Sequence, residues 1–468
     1  MKKFLNNNIF SLLSKISKEL DIETFVVGGY VRDCLIGKKR KLTDIDIVCN
    51  ERATDLAKQI AKQLKTKNIS IYKNFGTALV KYGDLQIEFI SARKEYYNES
   101  SRKPEVVLGS MKDDQNRRDF TINAMSISLN EYNFGTLIDP FNGLEDLNNK
   151  IIKTPQNPNK TFSDDPLRMF RAIRFANQLG FTIETETLKS IMNNRDRITI
   201  LSKERMLDEF EKILLSEKPS IGLNLLYKTG ILKLYFKEFY DLQGVETVNN
   251  HTHKDNFFHT LEVIDNVRKK SSNKWLLWAA LLHDIAKPKT KRYSKKEGWT
   301  FHGHEYLGSK MVPIIFNKLK LPLNENMKYV QKLVLLHLRL IPLTKKNVTD
   351  SAYRRRFYEA GNDIDDLYIL CEADITSKNE EKVNRYLKNL KYVKNKIEEI
   401  EKNNNLKNFQ PPVDGKMIME KFKLKPSKLV GEIKVQIREA ILNGEIRNNK
   451  VDAEKLMIKI GEELNLNK

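Results

Sequence analysis

Cysteine is scarce in this sequence, which has three cysteines among 468 residues, Cys34, Cys49 and Cys371. Three scattered cysteines are too few for a disulfide framework or a zinc cluster, and they fit a reducing cytoplasm. No apolar run approaches the roughly 20 residues that a membrane helix needs. Asparagines also interrupt the first ten residues, where a signal peptide would be apolar. We therefore expect a cytoplasmic protein with no membrane partner.

Histidine is absent from the first 250 residues, and all seven histidines lie between His251 and His337. This distribution predicts two different chemistries on one chain. Lys and Arg number 82 against 61 Asp and Glu, which gives a formal net charge of +21. Such a balance favours a polyanionic partner, most simply nucleic acid. The alternative is codon bias, because the chain is rich in Lys, Asn and Ile generally.

Short apolar strands alternate with one helical stretch over residues 25–90. Within it, Thr43–Val48 alternates with period two, and Ala53–Leu64 carries its apolar residues on one helical face. Residues 141–250, residues 256–379 and the last 85 or so favour helices. The sequence therefore predicts an α+β fold, with a small α/β head followed by helical regions.

Two carboxylates, Asp44 and Asp46, lie two residues apart on one predicted strand. Period two places them on one face, where they repel each other unless a cation lies between them, so we expect a hard ion such as Mg²⁺. Upstream, Gly28-Gly29 precedes a helical segment whose backbone N–H groups can hold a phosphate, with Arg32 to balance its charge. The alternative is a glycine turn beside two solvated aspartates. The ordered combination favours a nucleotide and metal site.

A second strip of charged residues begins after Ser163, and we expect Ser163 or Asp164 to cap a helix there. Four charged residues recur every three positions and form one stripe: Asp165, Arg168, Arg171 and Arg174. Asp165 accepts and Arg168 donates, which matches the edge that cytosine and adenine share and that uracil and guanine lack. Arg171 and Arg174 then remain for phosphates. The alternative is a solvated, arginine-rich helix face.

Five segments resemble successive motifs of the class II tRNA nucleotidyltransferases, the family of the bacterial-type CCA-adding enzymes and poly(A) polymerases. They are residues 28–46, 117–125, 139–143, 164–175 and 204–210, in the order of the family. The resemblance implies a polymerase-β-like head with two metal ions. One ion activates the tRNA 3′-hydroxyl for attack on the α-phosphate, and the other steadies the departing pyrophosphate.

The resemblance also implies roles for individual residues. Asp44 and Asp46 are the expected catalytic residues and hold Mg²⁺. The expected nucleotide site consists of Gly29, Arg32, Arg118, Asp165, Arg168, Arg171 and Arg174. Glu88, on a neighbouring predicted strand, is a weaker candidate for a third carboxylate. Asp164 stands where the family usually has Glu.

A second constellation surrounds His283 and Asp284, which lie on an apolar predicted helix that would bury them. A buried polar pair needs partners, and a divalent metal is the simplest. The region resembles an HD-superfamily domain, which implies metal-dependent phosphate-ester hydrolysis or, if inactive, a scaffold. Residues that match its four-residue pattern are His259, His283, Asp284 and Asp374, while His304 and His337 fit a two-metal version. The metal's identity stays open, and we expect His251, His253 and His302 at the surface.

We expect four regions: a nucleotidyltransferase head at 1–145, a neck and body for nucleotide selection and RNA binding at 146–250, an HD metal-binding domain at 251–380, and a tRNA-binding helical tail at 381–468. The expected function is template-independent addition of CCA to tRNA 3′ ends from CTP and ATP. The alternatives are an A-adding or CC-adding enzyme, a poly(A) polymerase, an HD phosphohydrolase with an RNA-docking head, and a non-catalytic RNA-binding protein. Residues 93–116 are a candidate loop for the switch from C to A addition. The oligomeric state is left open.

Overall fold

The structure is a computed structural model that describes residues 1–38, 42–72, 76–98, 101–248, 251–252, 255–345, 348–377, 379–404 and 412–466. It divides into two units, Met1–Lys237 and Glu238–Lys468. A sheet with flanking helices occupies the first unit and helices dominate the second, which confirms the α+β class. Among the helices of the described ranges, none is long and apolar enough to cross a membrane.

A seven-stranded sheet forms the start of the first unit. Its strands are β1 (Thr24–Val27), β2 (Asp44–Cys49), β3 (Ile69–Tyr72), β4 (Thr77–Tyr82), β5 (Leu85–Ser91), β8 (Ser126–Ser128) and β9 (Leu137–Ile138). The order across the sheet is β3-β4-β5-β2-β1-β8-β9, and β2 pairs with β5 in parallel while the other neighbours are antiparallel. The central strand β2 therefore has a parallel partner on one side only.

The alternation within β2 follows the predicted period of two. Ile45 and Ile47 are fully buried, whereas Asp44 is exposed and Asp46 half-buried on the opposite face. Three helices accompany these strands: α1 (Asn8–Glu19), α2 (Gly29–Ile36) and α3 (Ala53–Gln63). The apolar face of α3 packs against β4 and β5, as its sequence pattern predicts. The sheet thus presents the carboxylates of β2 away from this apolar layer.

The segment 93–116, expected as a loop, contains a hairpin and a helix. Its elements are β6 (Arg93–Asn98), β7 (Ser101–Leu108) and α4 (Met111–Asn116). The hairpin strands pair with each other and not with the seven-stranded sheet. A capping box begins α4, since Ser110 and Asp113 each bond to the other's backbone N–H.

Helices complete the first unit: α5 (Thr121–Ala124), α6 (Gly143–Asn148), α7 (Pro158–Asp164), α8 (Leu167–Leu179), α9 (Thr185–Asn194), α10 (Lys203–Leu214), α11 (Pro219–Lys228), α12 (Ile231–Tyr235) and α13 (Lys237–Tyr240), which crosses the division. Two short strands, β10 (Ile151–Ile152) and β11 (Thr182–Ile183), pair in parallel. The predicted cap of α8 is wrong, because Ser163 and Asp164 end α7. Asp165 is extended, and its carboxylate accepts the Leu167 N–H at 3.1 Å instead.

The second unit is largely helical. Its helices are α14 (Asn256–Lys270), α15 (Lys274–Leu282), α16 (Lys287–Thr290), α17 (His304–Leu319), α18 (Glu325–Leu336), α19 (Asp350–Ala360), α20 (Ile364–Asp374), α21 (Glu380–Asn404), α22 (Gly415–Phe422), α23 (Lys428–Asn443) and α24 (Lys450–Glu463). Two strand pairs accompany them: β12 (Thr247–Val248) with β13 (His251–Thr252), and β14 (Arg292–Ser294) with β15 (Gly298–Thr300). Every residue from Leu276 to Leu282 is fully buried, so α15 is the central helix of this unit.

Candidate active site and candidate metal centre

A cavity of about 500 Å³ in the first unit brings together residues from distant parts of the chain. We call it the head cavity. The expected site residues that line it are Gly29, Arg32, Asp46, Arg118, Asp165, Arg168, Arg171 and Arg174. Asp44 is exposed on the same face of β2 as Asp46 but is not among the lining residues. The residues that the sequence placed in one nucleotide site therefore converge on one concave surface.

Carboxylates gather at one end of the head cavity. The β2–β5 register sets Asp46 opposite Glu88, which also lines the cavity. Burial raises the pKa of Asp46 to about 6, with Arg118 opposing the rise and Glu88 and Asp44 adding to it. Burial and the charge of Asp44 also raise the pKa of Glu88. Carboxylates that destabilise one another's ionised form suit a divalent cation, and Mg²⁺ is commonly held by one or two carboxylates together with substrate phosphates.

Gly28 brings the backbone close to these carboxylates. Its φ is +70°, a backbone conformation that residues other than glycine rarely adopt. A Cβ atom at this position would lie 3.1 Å from Asp46 Oδ2 and 3.3 Å from Arg118 Nη1. Helix α2 begins at the next residue, so its first N–H groups lie beside the metal-binding candidates.

Four arginines of the head cavity are held by acidic partners. The ion pairs are Arg32 Nη2 to Asp33 Oδ1 at 2.8 Å, Arg118 Nη2 to Asp114 Oδ2 at 2.9 Å, Arg171 Nη2 to Asp119 Oδ2 at 2.6 Å and Arg174 Nε to Glu209 Oε2 at 2.6 Å. Asp114, Asp119 and Glu209 are all buried. Each guanidinium group is therefore fixed before any ligand binds, which lowers the entropy that binding must remove.

Asp119 is the most connected of these partners. Its Oδ1 accepts from the Phe120 N–H at 2.9 Å and from Asn123 Nδ2 at 3.0 Å, and its Oδ2 accepts from Arg171 Nε at 2.7 Å. Burial alone would raise the pKa of Asp119, but the Arg171 charge and the hydrogen bonds lower it to about 2. Asn123 also accepts from Arg32 Nη1 at 2.8 Å, so one small network orients two of the cavity arginines.

Phe175 is a buried residue that lines the head cavity, and three guanidinium groups lie against its ring. The guanidinium carbons lie 5.0, 5.3 and 4.0 Å from the ring centroid for Arg32, Arg171 and Arg174. These are cation–π distances. A single aromatic ring therefore brings three like charges together at one wall of the cavity.

The proposed base-reading pair lies on the same cavity surface. Arg168 Nη2 donates to the carbonyl oxygen of Arg117 at 2.7 Å, and the Asp165 carboxylate is fixed by the backbone N–H of Leu167. Both side chains line the cavity, with Asp165 just before α8 and Arg168 in its first turn. The geometry is compatible with reading a base edge, and that role stays a prediction.

The sequence interpretation missed the partners of the arginines. They are Asp114, Asp119, Asn123, Glu209 and the shared ring of Phe175. One signal was visible, since Asp119 directly follows Arg117-Arg118. Pairing between segments that lie 35 to 91 residues apart, as for Arg174 with Glu209 and Arg32 with Asn123, leaves no local pattern.

The six residues expected at the second metal centre form one buried cluster in the second unit, the HD cluster. Asp284 lies at its centre, with Oδ2 3.2 Å from His283 Nε2 and Oδ1 3.3 Å from His304 Nε2. His259 Nε2 is 2.8 Å from Asp374 Oδ1. The cluster contains two groups of candidate ligands, His259–His283–Asp284 and Asp284–His304–His337. Within each group, the ligating atoms lie within 4.8 Å of one another. Both groups include Asp284, and together the residues would offer enough nitrogen and oxygen donors for two divalent metal ions.

Helix ends orient the imidazoles. His283 and His337 follow the last residues of α15 and α18, and the Nδ1 of each is 2.7 Å from the carbonyl oxygen three residues earlier. His304 Nδ1 makes the same contact with Phe301 O. A neutral imidazole that donates from Nδ1 keeps Nε2 able to ligate a metal ion.

Three imidazole nitrogens of the HD cluster fit a metal because they lack a hydrogen-bond partner. These buried atoms are Nε2 of His283, His304 and His337. Burial lowers the pKa of His337 to about 4, which keeps this imidazole neutral. The neighbouring histidines lower the pKa of Asp374 far below its usual range, against its burial. Buried polar atoms are costly unless they are satisfied, and divalent ions would satisfy these.

Two features of the HD cluster lie outside the sequence expectation. Lys287 Nζ is 2.6 Å from Asp284 Oδ2, and Thr376 Oγ1 is 2.9 Å from His259 Nδ1. Of the three histidines without an assigned role, His302 is exposed. The side chain of His251 and the whole of His253 lie outside the described residues.

Comparison with protein families finds three matches along the chain. Residues 24–153 match the poly(A) polymerase head domain, residues 180–242 match the probable RNA- and SrmB-binding site of polymerase A, and residues 256–379 match the HD domain. Three successive parts of the chain are therefore similar to these three domain families, in this order.

Among curated relatives, the chain is 41% identical over 211 residues to a CCA-adding enzyme of Geobacillus sp. strain WCH70, which is 45% of this chain and 50% of that protein. It is 37% identical over 220 residues to the A-adding tRNA nucleotidyltransferase of Aquifex aeolicus, which is 47% of this chain and 26% of that protein. A CCA-adding enzyme of Bacillus licheniformis is 32% identical over 283 residues, 60% of this chain and 65% of that protein. The chain thus spans less than two thirds of the length of each of these relatives.

Solved structures resemble the chain over a larger part of its length. A tRNA nucleotidyltransferase complexed with a primer tRNA and an incoming ATP analogue has a TM-score of 0.58 at 25% identity, and the match covers 82% of this chain and 99% of that one. A CCA-adding enzyme complexed with ATP has a TM-score of 0.63 at 23% identity, with 99% and 96% covered. Both likenesses support the fold.

Proposed function

We propose that this chain, with its poly(A) polymerase head, RNA-binding segment and HD domain, is a tRNA nucleotidyltransferase that adds CCA to tRNA 3′ ends from CTP and ATP without a nucleic-acid template. One observation carries the proposal. The head cavity joins the strand carboxylates Asp46 and Glu88, the Gly28-Gly29 turn and the arginine stripe of α8 on one surface. A docking module for RNA does not need paired carboxylates.

In the proposed reaction, the tRNA 3′-oxygen bonds to the α-phosphorus of the nucleotide, the bond to pyrophosphate breaks, and the hydroxyl proton passes to solvent. Asp44 and Asp46 would hold Mg²⁺, which activates the hydroxyl and neutralises phosphate charge when it is bound. The residues of the chain position the nucleotide. The start of α2 and the arginines on Phe175 face the triphosphate, and their fixed geometry favours the in-line arrangement of the reacting atoms.

Base selection is proposed for the Asp165–Arg168 pair. A carboxylate acceptor beside a guanidinium donor complements the amino group and ring nitrogen that cytosine and adenine share. Because the backbone fixes both side chains through Leu167 and Arg117, the pair keeps one orientation when the nucleotide is exchanged. We expect rejection of UTP and GTP, whose donor and acceptor positions are reversed.

Experiment has to decide between full CCA addition and A addition alone, because CCA-adding and A-adding enzymes match similar lengths of the chain. We propose full CCA addition, with the hairpin and helix at 93–116 taking part in the switch from C to A. Replacing that segment should stop synthesis after CC, and unchanged A addition would disprove its role. We propose that the tail at 381–468 binds tRNA by recognising the shape and the backbone of the RNA.

The test uses tRNA transcripts that end at the discriminator base, at C and at CC. Each is incubated with Mg²⁺ and CTP, ATP or both, and products are sized at single-nucleotide resolution. Clean termination at CCA supports the proposal, whereas a lone A, a stop at CC or a long A tail identifies the corresponding alternative. Asp44→Ala should abolish addition. Asp55→Ala, which removes an exposed carboxylate on α3 of the same unit, is the matched control.

A second candidate function is phosphate-ester hydrolysis by the HD cluster. Its support is the set of three buried imidazole Nε2 atoms without hydrogen-bond partners, two of which lie within 3.3 Å of the Asp284 carboxylate. In this reaction water adds its oxygen to phosphorus, the ester bond breaks, and the leaving alcohol takes a proton. His283→Ala should abolish metal-dependent hydrolysis of nucleoside monophosphates and leave nucleotide addition intact. Asp44→Ala should give the opposite result if the sites act independently.

A further inference from the structure

The HD cluster has one side that solvent can reach. The side chain of Asp374 is 18% exposed, whereas those of the other five members are at most 9% exposed. Asp374 ends α20, and the chain then turns into α21 through Thr376 and Ser377. A substrate that reaches the cluster therefore approaches past Asp374.

A cavity of about 390 Å³ begins at this point, and we call it the Asp374 cavity. Its size lies within the range of small-molecule sites. Its lining includes Asp374, Thr376, Ser377, Lys382, Tyr386 and Leu390. Thr376 also contacts a cluster histidine, since its Oγ1 is 2.9 Å from His259 Nδ1. The cavity and the cluster are thus joined directly by two of the lining residues.

One face of α21 supplies the outer wall. Lys382, Tyr386 and Leu390 lie four residues apart and so project from one side of the helix. Leu390 is buried, whereas Tyr386 keeps 40% of its surface exposed at the rim. Two cations lie over the Tyr386 ring, with Lys382 Nζ at 5.8 Å and the Arg385 guanidinium carbon at 5.4 Å from its centroid. A partly exposed ring with cations close to it is a surface on which a base can stack next to a phosphate.

We propose that the Asp374 cavity binds the nucleoside part of a phosphate ester whose phosphate lies at the HD cluster. The base stacks on Tyr386, Lys382 balances phosphate charge, and the hydroxyl groups of Thr376 and Ser377 face the ribose. The substrate class is a nucleoside monophosphate. This inference rests on the hydrolytic function proposed for the cluster, and it adds the residues that would select a nucleotide over other phosphate esters.

The test uses photoactivatable 8-azidoadenosine 3′-monophosphate with the full chain and Mn²⁺, followed by mass-spectrometric mapping of the label. We expect label within residues 382–390. The head cavity, which also binds nucleotides under the proposal above, provides an internal control. Tyr386→Leu should raise the half-saturating probe concentration for labelling of residues 382–390 about tenfold, the loss expected for one base–aromatic stack. Labelling of the head should not change.

Tyr392→Leu is the matched control, because Tyr392 is an exposed tyrosine of the same helix that does not line the cavity. Equal half-saturation for Tyr386→Leu and wild type, or label confined to the head, would overturn the proposal. Equally strong competition by ribose 5-phosphate would also overturn it, since that probe lacks a base. Hydrolysis of adenosine 3′-monophosphate is measured in parallel. Specific labelling without hydrolysis supports the binding site and refutes the hydrolytic function, and hydrolysis without labelling does the reverse.

Discussion

Asp119→Asn should destabilise the first unit by about 2 kcal/mol at pH 7. The ionised Asp119 has a pKa of about 2 in the folded chain, against 3.8 for an unperturbed aspartate. A difference of roughly two pKa units corresponds to about 2 kcal/mol of stabilisation by the charged form. Asparagine has a similar shape but removes the charge that pairs with Arg171, so the variant should lose this contribution.

The loss should depend on pH in a defined direction. Because folding lowers the pKa of Asp119, its charged form stabilises the fold above about pH 4, and that stabilisation disappears as the pH falls to about 2. The wild-type chain and Asp119→Asn should therefore differ at pH 7 and converge near pH 2. A gap that persists at pH 2 would show that the loss comes from packing or hydrogen bonding and not from the charge.

Urea unfolding, monitored by pulsed hydrogen exchange of the α8 peptides, measures the difference in unfolding free energy within the first unit. All three tryptophans, Trp275, Trp278 and Trp299, belong to the second unit, so their fluorescence provides an internal control that should not change. Asp208→Asn is the matched variant, since its salt bridge to Lys212 is exposed and should contribute less than about 1 kcal/mol. Equal stability of Asp119→Asn and wild type at pH 7 would refute the reasoning.

Three further changes test other parts of the two sites. Gly28→Ala should lower nucleotide addition at least tenfold, because the new Cβ would lie 3.1 Å from Asp46 Oδ2. Gly37 also has a positive φ, but nothing lies within 4 Å of a Cβ built there, so Gly37→Ala should lower stability and keep full activity. Phe175→Leu should raise KM for the nucleotide more than it lowers kcat. Phe170→Leu, a change at a fully buried residue of the same helix, should alter stability alone. Equal KM in both variants would contradict the proposed role of the Phe175 ring. His337→Gln should lower the number of Mn²⁺ ions bound per chain, as equilibrium dialysis measures; unchanged stoichiometry would remove His337 from the ligand set.

The sequence predicted the elements whose pattern is local. Period two was enough to place Asp44 and Asp46 on one face of β2, and a spacing of three was enough to place the α8 stripe on one surface. The cap of α8 was predicted wrongly because Asp165, which precedes Pro166, takes the extended conformation that proline favours in its neighbour. Roles in catalysis and metal binding remain predictions for every one of these residues.

The partners of the charged residues could not be predicted, because they come from segments far apart in the sequence. Nothing near Arg174 indicates that Glu209 neutralises it, and nothing near His259 indicates Asp374, 115 residues away. Such pairings depend on how helices pack, which a one-dimensional pattern does not contain. The six members of the HD cluster were candidates from their residue types and from a family resemblance, but neither predicted which of them contact one another.

The pairing of the arginines explains how one cavity can hold so many cations before a ligand arrives. Four of them each contact a carboxylate, and three share the face of Phe175, so their mutual repulsion is offset within the protein. Rigid donors cost less entropy on binding than flexible ones, and they discriminate more sharply between ligand geometries. Removing an acidic partner should therefore impair nucleotide binding even though the partner repels phosphate. This expectation is the reverse of the one for a simple electrostatic attraction, in which loss of an acid strengthens the binding of an anion.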